Sequence, residues 1–412
     1  MDQSKTVREL QAQILQEIDF DQELADEDVY RMVEEKTAVY ARQKMLGLKE
    51  RENLEKALFN ALRKLDVIQE LLEDDEITEV MVNGASCIFY EKGGKIYRDE
   101  RQFSSKEKLN DVIQQIVAGS NRMVNEASPI VDVRLSDGSR VNIVLEPVSL
   151  DGSAISIRKF PQNPILMEDL VRCGSISADA AKMLSMLVGA GYNIFVSGGT
   201  GSGKTTFLNA LSQYIPAEER IITIEDAAEL QLVEKPNLVR LETRNANTDG
   251  VVPITIRDLI RAALRMRPER IIVGECRGAE ALDVLQAMNT GHDGSLSTGH
   301  ANSCRDMLSR LETMVLMGMD LPLAAIRSQI ASGIDILIHL GRLRDKSRRV
   351  LSITEVTGVF EGEIALNEIF HFAQSGMEHG MVCGELKKVG CLLHTDKWLN
   401  AGYSLWEEGG GT

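Results

Sequence analysis

The chain is short of the usual metal and disulfide signals. Its six cysteines, Cys87, Cys173, Cys276, Cys304, Cys383 and Cys391, are scattered, with no C-x-x-C pair. Neither a zinc site nor a disulfide framework is expected, and a reducing compartment fits. No stretch approaches the ~18 apolar residues of a membrane span. No apolar run follows the opening Met-Asp-Gln-Ser-Lys, so no secretory leader is expected. The reading is a cytoplasmic protein able to dock on a membrane complex. Positive charge is in deficit: the net charge is −16. That argues against a general nucleic-acid binder, because phosphate contacts need clustered Lys and Arg. No Asn-Lys-x-Asp occurs, which argues against a guanine-reading switch.

What is present is a chain of 412 residues, too long for one core, with 43% apolar and 26% charged residues. Two or three soluble domains are expected. Residues 1–65 read as a helical extension, with Leu10, Ile14 and Ile18, then Leu54, Leu58, Leu62 and Leu65, at helical spacing. No glycine precedes Gly47, and residues 16–35 carry nine carboxylates against one arginine. Two or three mostly solvated helices are expected there. Residues 66–160 read as a compact α+β domain. Short strands at 78–83, 86–91 and 95–98 are split by Asn83-Gly84 and Gly93-Gly94 turns. A helix follows at 105–120, then strands at 130–135, 139–145 and 154–160. The stretch 161–175, opening Pro-Gln-Asn-Pro, reads as a linker.

Residues 176–358 alternate strand and helix signals, with strands at 194–197, 221–225, 271–274, 295–298 and 334–340. That alternation predicts a mostly parallel sheet covered on both faces, an α/β domain. Residues 359–412 read as a weaker C-terminal extension, with one more strand or helix at 363–372 and a disordered Gly-Gly-Gly-Thr end.

The α/β domain opens on Val196-Ser-Gly-Gly-Thr-Gly-Ser-Gly-Lys-Thr-Thr206, a complete phosphate-binding loop between a strand and a helix. Glycines let the backbone curl around phosphates, and the helix N-terminus points N–H groups at them. Gly198, Gly199, Thr200, Gly201, Ser202, Gly203, Lys204, Thr205 and Thr206 are the candidate nucleotide-binding residues. Lys204 is placed for the β- and γ-phosphates and the Thr205 hydroxyl for Mg²⁺.

Acids and cations follow at the ends of predicted strands. Ile222-Thr-Ile-Glu-Asp226 ends in adjacent carboxylates, with Glu229 close behind. Strand alternation turns the two opposite ways, and Glu225 is expected to face the nucleotide. The rival is a cap for the next helix. Arg270-Ile-Ile-Val-Gly-Glu275 resembles a Walker B strand, with Glu275 holding Mg²⁺ through water or polarising the attacking water. The rival there is a strand-end pair with Arg277. Two of six histidines, His292 and His300, bracket the next strand. His300, at its C-terminal end, is the better candidate to sense a γ-phosphate, and His292 the better one to shape a turn. Eight arginines and no lysine lie between Arg240 and Arg277. Arg257, Arg261 and Arg265 share one helix face, which reads as a subunit interface or a solvated face.

The order of these boxes resembles the type II/type IV secretion ATPase superfamily. The wording, from Leu264-Arg-Met-Arg-Pro-Glu-Arg through Ala287-Met-Asn-Thr-Gly-His and His300-Ala-Asn302, is most similar to its CpaF-like, tight-adherence pilus branch. The resemblance implies an ATP-hydrolysing, Mg²⁺-dependent hexameric ring. It implies a RecA-like motor behind a smaller PAS-like α+β domain, with ATP between the two domains. It implies work at the cytoplasmic face of the inner membrane, peripheral to it, on a pilus or secretion platform protein; direct nucleic-acid contact is not expected, on the acidic net charge. By position, Glu225 and Glu229 fall in the Asp box, Glu275 is the Walker B acid, and His292 and His300 form the His box. Arginines near the γ-phosphate are expected from the first domain: Arg134, Arg140 and Arg158, the latter two most strongly. The chain departs from the branch at Asn245-Ala-Asn-Thr-Asp-Gly-Val-Val-Pro253, at Cys276 and at Gly299, and it lacks the tetracysteine motif of the extension ATPases. A DNA-transfer ATPase is the alternative motor.

Overall fold

The computed structural model describes residues 3–18, 24–119, 122–160, 164–244 and 252–404. The first three linker positions, the 245–251 part of the divergent loop and the glycine-rich end lie outside the described residues. The chain divides into two compact units, Met1–Gln162 and Asn163–Thr412.

The first unit begins with α1 (Gln3–Glu17), α2 (Asp26–Lys44) and α3 (Leu48–Arg63). These helices are less solvated than expected. Leu10, Ile14, Val33, Leu54 and Leu58 meet in a small core of their own. Within the core Thr37 Oγ1 donates to Glu55 Oε1 at 2.9 Å. The α+β part comprises α4 (Gln69–Glu73), β1 (Ile77–Asn83), β2 (Ile88–Lys92), β3 (Lys95–Arg98), α5 (Lys106–Ala118), β4 (Ile130–Arg134), β5 (Arg140–Val144) and β6 (Ala154–Arg158). Its six strands are ordered β3-β2-β1-β6-β5-β4, each pair antiparallel. Ser105 caps α5, accepting from Lys108 N at 3.2 Å. The apolar stripe Leu109, Val112, Ile113, Ile116 and Val117 then covers one face of the sheet, as its period predicts.

The second unit runs α6 (Met167–Arg172), α7 (Ala178–Gly189), β7 (Ile194–Gly198), α8 (Lys204–Ser212), β8 (Ile221–Glu225), β9 (Leu238–Glu242), α9 (Ile256–Ala263), β10 (Arg270–Val273), α10 (Ala281–Met288), β11 (Leu296–Gly299), α11 (Cys304–Gly318), α12 (Leu323–Gly333), β12 (Ile336–Arg342), β13 (Arg348–Phe360), β14 (Glu363–Glu378), β15 (Met381–Lys388) and α13 (Asp396–Asn400). The sheet order is β15-β14-β13-β12-β7-β11-β10-β8-β9. Strands β12 to β9 in that order are parallel. Alternation sends Ile194 and Val196 into the core on one face and Phe195 into the core on the other.

The 358/359 boundary falls inside β13, and β14 and β15 extend the same sheet. The tail beyond them is also tied down. Glu355, 1% exposed, accepts from the backbone N–H groups of Leu393 (2.9 Å) and His394 (2.7 Å). Lys397 Nζ lies 2.8 Å from both Asp293 and Asp335. A buried carboxylate needs such donors, and here the C-terminal segment supplies them.

Candidate active site

The phosphate loop lies where parallel strands end and helices begin, the ligand edge of an open α/β sheet. Gly203 has φ 94°, a left-handed conformation that favours glycine, and it starts α8. Gly198 is confined differently: a Cβ there would lie 2.5 Å from Ser202 Oγ and 2.7 Å from Leu340 O. Ser202 is buried and braces the loop by donating to Gly199 O at 2.8 Å. Thr205 and Thr206 are half-buried in the first turn of α8.

Lys204 is only 8% exposed. Its Nζ donates to Gly198 O (3.3 Å) and Gly199 O (3.2 Å) and lies 3.2 Å from His300 Nδ1. Burial holds its pKa below the usual lysine range, although nearby Glu275 works the other way. The opposite ring nitrogen, His300 Nε2, is 2.7 Å from Glu275 Oε1. The other Glu275 oxygen accepts from Arg277 Nη2 at 2.6 Å, and Arg277 Nη1 is 3.6 Å from Asp226. Burial and Lys204 both push the His300 pKa down. A charged Lys204 has only donors, so Nδ1 is the accepting nitrogen of the His300 ring. The result is a continuous polar chain from the phosphate loop to the second acid.

The strand ladder continues past β10 to hold Glu275 there. Gly274 N donates to Ile224 O (2.9 Å), Cys276 N to Thr298 O (2.8 Å), and Thr298 Oγ1 to Gly274 O (2.7 Å). The sequence offered Glu275 one partner, Arg277, and the structure provides it and adds the His300 ring at 2.7 Å.

Glu225 differs from its expectation. It is 3% exposed, and its Oε2 accepts from the backbone N–H groups of Glu229 (2.8 Å) and Leu230 (2.9 Å). Its Oε1 is buried with no hydrogen-bond partner. It holds the turn after β8, which leads to β9 and not to a helix, so it is not the helix cap the rival reading named either, while Asp226 is the carboxylate that meets Arg277. Alternation along the strand is the reason: the last strand residue turns inward and the next turns out. Glu229 lies in that turn and supplies a backbone N–H there.

Burial pushes the Glu225 carboxyl from 4.5 up to about 7, against the pull of those two N–H donors. The unfolded chain therefore releases this proton before the folded one does as pH rises. Stability falls through the window from 4.5 to about 7 and stays reduced above it. Glu225→Gln is expected to stabilise the nucleotide-free protein at pH 8 by ~2 kcal/mol. That is a rise in melting temperature of about 5 °C, shrinking toward pH 5. Equal melting of variant and wild type at pH 8 would show that Glu225 is ionised without cost.

His292 is not at this edge. β11 runs beside β7 with Leu296 opposite Ile194 and Gly299 opposite Ser197. His300 therefore follows the strand at the loop end, while His292 precedes it at the far end. There His292 Nδ1 lies 3.2 Å from Ala287 O. One strand length separates the two, so His292 is a turn residue and not a phosphate contact of its own chain. Arg257 and Arg261 share the Asp283 carboxylate of α10, at 2.7 and 3.4 Å. Their side of α9 is thus tied to the neighbouring helix.

In the first unit the three nominated arginines form a row. Arg134 is directly opposite Arg140, and Arg140 directly opposite Arg158. Glu79 continues the row on β1, 4.0 Å from Arg158. Directly opposed strand residues point to one face, and like charges so placed cost stability.

Residues 61–389 match the family described as "Type II/IV secretion system protein". The chain belongs to that family. It is 36% identical over 317 residues to a putative conjugal transfer protein of Mycobacterium tuberculosis, covering 76% of this chain and 89% of that one. It is 34% identical over 315 residues to the type IV secretion system protein PtlH of Bordetella pertussis, covering 70% and 93%. Its fold is similar to the solved structure of the pilus retraction motor PilT with bound ADP, at TM-score 0.51, 21% identity and coverage of 74% and 81%. The architecture is that of a RecA-like motor domain behind an α+β domain and N-terminal helices. No described helix is long and apolar enough to cross a membrane.

The residues fit a nucleotide and its cation. Lys204 is a largely buried cation bonded to carbonyls and an imidazole, and among the described residues it has no direct carboxylate partner, which suits an arriving phosphate. Thr205, half-buried in the first turn of α8, is the hydroxyl that would hold the cation. Glu275 Oε2 is engaged by Arg277, whereas Oε1, 2.7 Å from His300 Nε2, makes no hydrogen bond among the described residues, so Oε1 would be the oxygen left to hold the cation through water. Sequence reasoning missed Arg348, whose Nε donates to Gly201 O at 3.0 Å. The cation-rich run Arg342-Leu-Arg-Asp-Lys-Ser-Arg-Arg349 was the available signal.

Proposed function

We propose that the chain is an Mg²⁺-dependent ATPase that powers assembly of a pilus or secretion apparatus. One observation carries this: the chain Lys204–His300–Glu275, with contacts of 3.2 and 2.7 Å, at the end of a complete phosphate loop. In this reading the loop N–H groups and Lys204 bind and orient the phosphates, Glu275 takes a proton from the attacking water, and His300 links the two. Mg²⁺ would screen the charge that develops on the phosphates. Glu225 is a positioning residue that shapes the turn beside them. The direct test is phosphate release from ATP, with and without Mg²⁺. A chain that binds ATP but releases no phosphate would contradict it.

We assign the row Arg134, Arg140 and Arg158 to the reacting phosphate. Arg140→Ala is expected to lower kcat by about a hundredfold and to leave ADP affinity within a few-fold. A parallel loss of affinity would mark Arg140 as a ground-state contact instead.

The motor is proposed to work as a homo-hexamer, held at the cytoplasmic face of the inner membrane by a platform protein. Native mass with and without ATP tests the ring. Within the family the tight-adherence pilus branch is preferred, on the wording of the boxes from Leu264 to Asn302 and the lack of a tetracysteine motif. The name of the mycobacterial relative favours a second reading, a DNA-transfer motor. Stimulation of ATP hydrolysis by single-stranded DNA would favour that reading. The net charge of −16 favours no response.

A further inference from the structure

We propose that Arg348 and Arg342 form a phosphate-facing cationic arm of the nucleotide site, carried by the hairpin between β12 and β13. The inference rests on the nucleotide reading above and adds two binding residues to it.

β12 lies beside β7, with Leu340 opposite Gly198 at the start of the phosphate loop. Two residues on, β12 ends at Arg342, which is directly opposite Arg348 at the start of β13. The hairpin therefore rises beside the loop, and its contacts follow. Arg348 Nε donates to Gly201 O at 3.0 Å. A Cβ on Gly203 would lie 3.4 Å from Arg348 Cδ, and one on Gly201 would lie 3.6 Å from Arg342 Nη1. The two arginines thus cover the glycines just before Lys204.

The charge pattern is costly without a ligand. Arg342, Arg344, Lys346 and Arg348 alternate along the hairpin and all are exposed, in a chain of net charge −16. Arg342 and Arg348 are a like-charged cross-strand pair, which is destabilising by itself. A guanidinium that spends Nε on the loop carbonyl keeps two further nitrogens in a planar fork that matches phosphate oxygens.

The arm is also held rigidly. Ser175 Oγ donates to Arg348 O at 2.7 Å. Asp345 accepts from Ser347 N at 2.9 Å and from Val382 N of β15 at 2.8 Å. A site on a braced hairpin is preorganised, so little is lost in ordering it when phosphate arrives.

The test is calorimetric binding of ADP and GDP, each with Mg²⁺, to the full chain and its variants. Arg348→Ala is expected to weaken ADP by roughly tenfold, and the Arg342→Ala/Arg348→Ala pair by more, with the nucleotide-free protein melting at or slightly above the wild-type temperature. GDP should weaken by the same factor if it binds; a loss confined to ADP would overturn the phosphate assignment in favour of a base contact. Arg348→Lys keeps the charge and should recover most of the affinity. Arg348→Gln keeps a donor for Gly201 O without charge and should remain as weak as alanine. Wild-type affinity in the glutamine variant would overturn the proposal, reducing Arg348 to a prop for the loop. Lys204→Ala separates the two levels. If it abolishes ADP binding while the arginine variants bind normally, the nucleotide site stands and the arm falls. If Lys204→Ala binds normally, the nucleotide site itself is wrong.

Discussion

Lys204→Ala is expected to lose ADP affinity by a hundredfold or more, ~3 kcal/mol, and to release no phosphate above background. The reason lies in how the lysine is held. It is 8% exposed and bonded to the carbonyls of Gly198 and Gly199, beside the His300 imidazole. Burial keeps its proton less tightly bound than usual. A cation so desolvated is a cost to the empty fold and a gain once a phosphate arrives. The same argument fixes the control: without nucleotide the variant should melt at or above the wild-type temperature, since removing a desolvated charge does not weaken the core. Calorimetric binding of ADP, phosphate release and a melting curve check the three outcomes together. Undiminished phosphate release would sink the site assignment. A large drop in melting temperature would mean that Lys204 serves the fold.

Glu275→Gln is expected to lower kcat by about a thousandfold while ADP affinity stays within a few-fold. The carboxylate accepts from Arg277 Nη2 at 2.6 Å through one oxygen, and its other oxygen lies 2.7 Å from His300 Nε2 with no hydrogen-bond partner among the described residues. A carboxylate oxygen left without a partner next to the phosphate loop can accept a proton from water. Glutamine has the same shape and can still accept from Arg277, but it cannot take that proton. Single-turnover measurements with bound ATP isolate this step from product release. Turnover within tenfold of wild type would reduce Glu275 to the ion-pair partner of Arg277.

Much of the fold was legible because the signals are local. The buried run at 194–197 reads as β7, and the α5 stripe reads as a helix, since each pattern is set by its own period. β9 was missed: Leu238–Glu242 is a short, half-exposed edge strand whose identity comes from pairing with β8. β13 to β15 were under-read because an antiparallel extension carries no strand–helix alternation. The N-terminal helices were expected to be solvated because their acidic residues dominate the composition. Only packing shows Ile14 and Leu58 fully buried.

In the candidate site, residue type and strand-end position nominated Lys204, Glu275 and His300, which the structure brings together. The sequence also determined the phosphate loop itself, since strand, glycines and helix follow one another within a single short segment. Tertiary structure decided which partners meet. His300 reaches Lys204 across 96 residues, and Arg348 reaches Gly201 across 147. It aligned Arg134, Arg140 and Arg158 in one row, separated His292 from His300 by the length of a strand, and turned Glu225 into its own turn while Asp226 took Arg277. The physical reason is common to all of these. Local spacing sets the conformation of a segment, but strand order and register are set by burying the whole sheet, and those two quantities place one side chain opposite another.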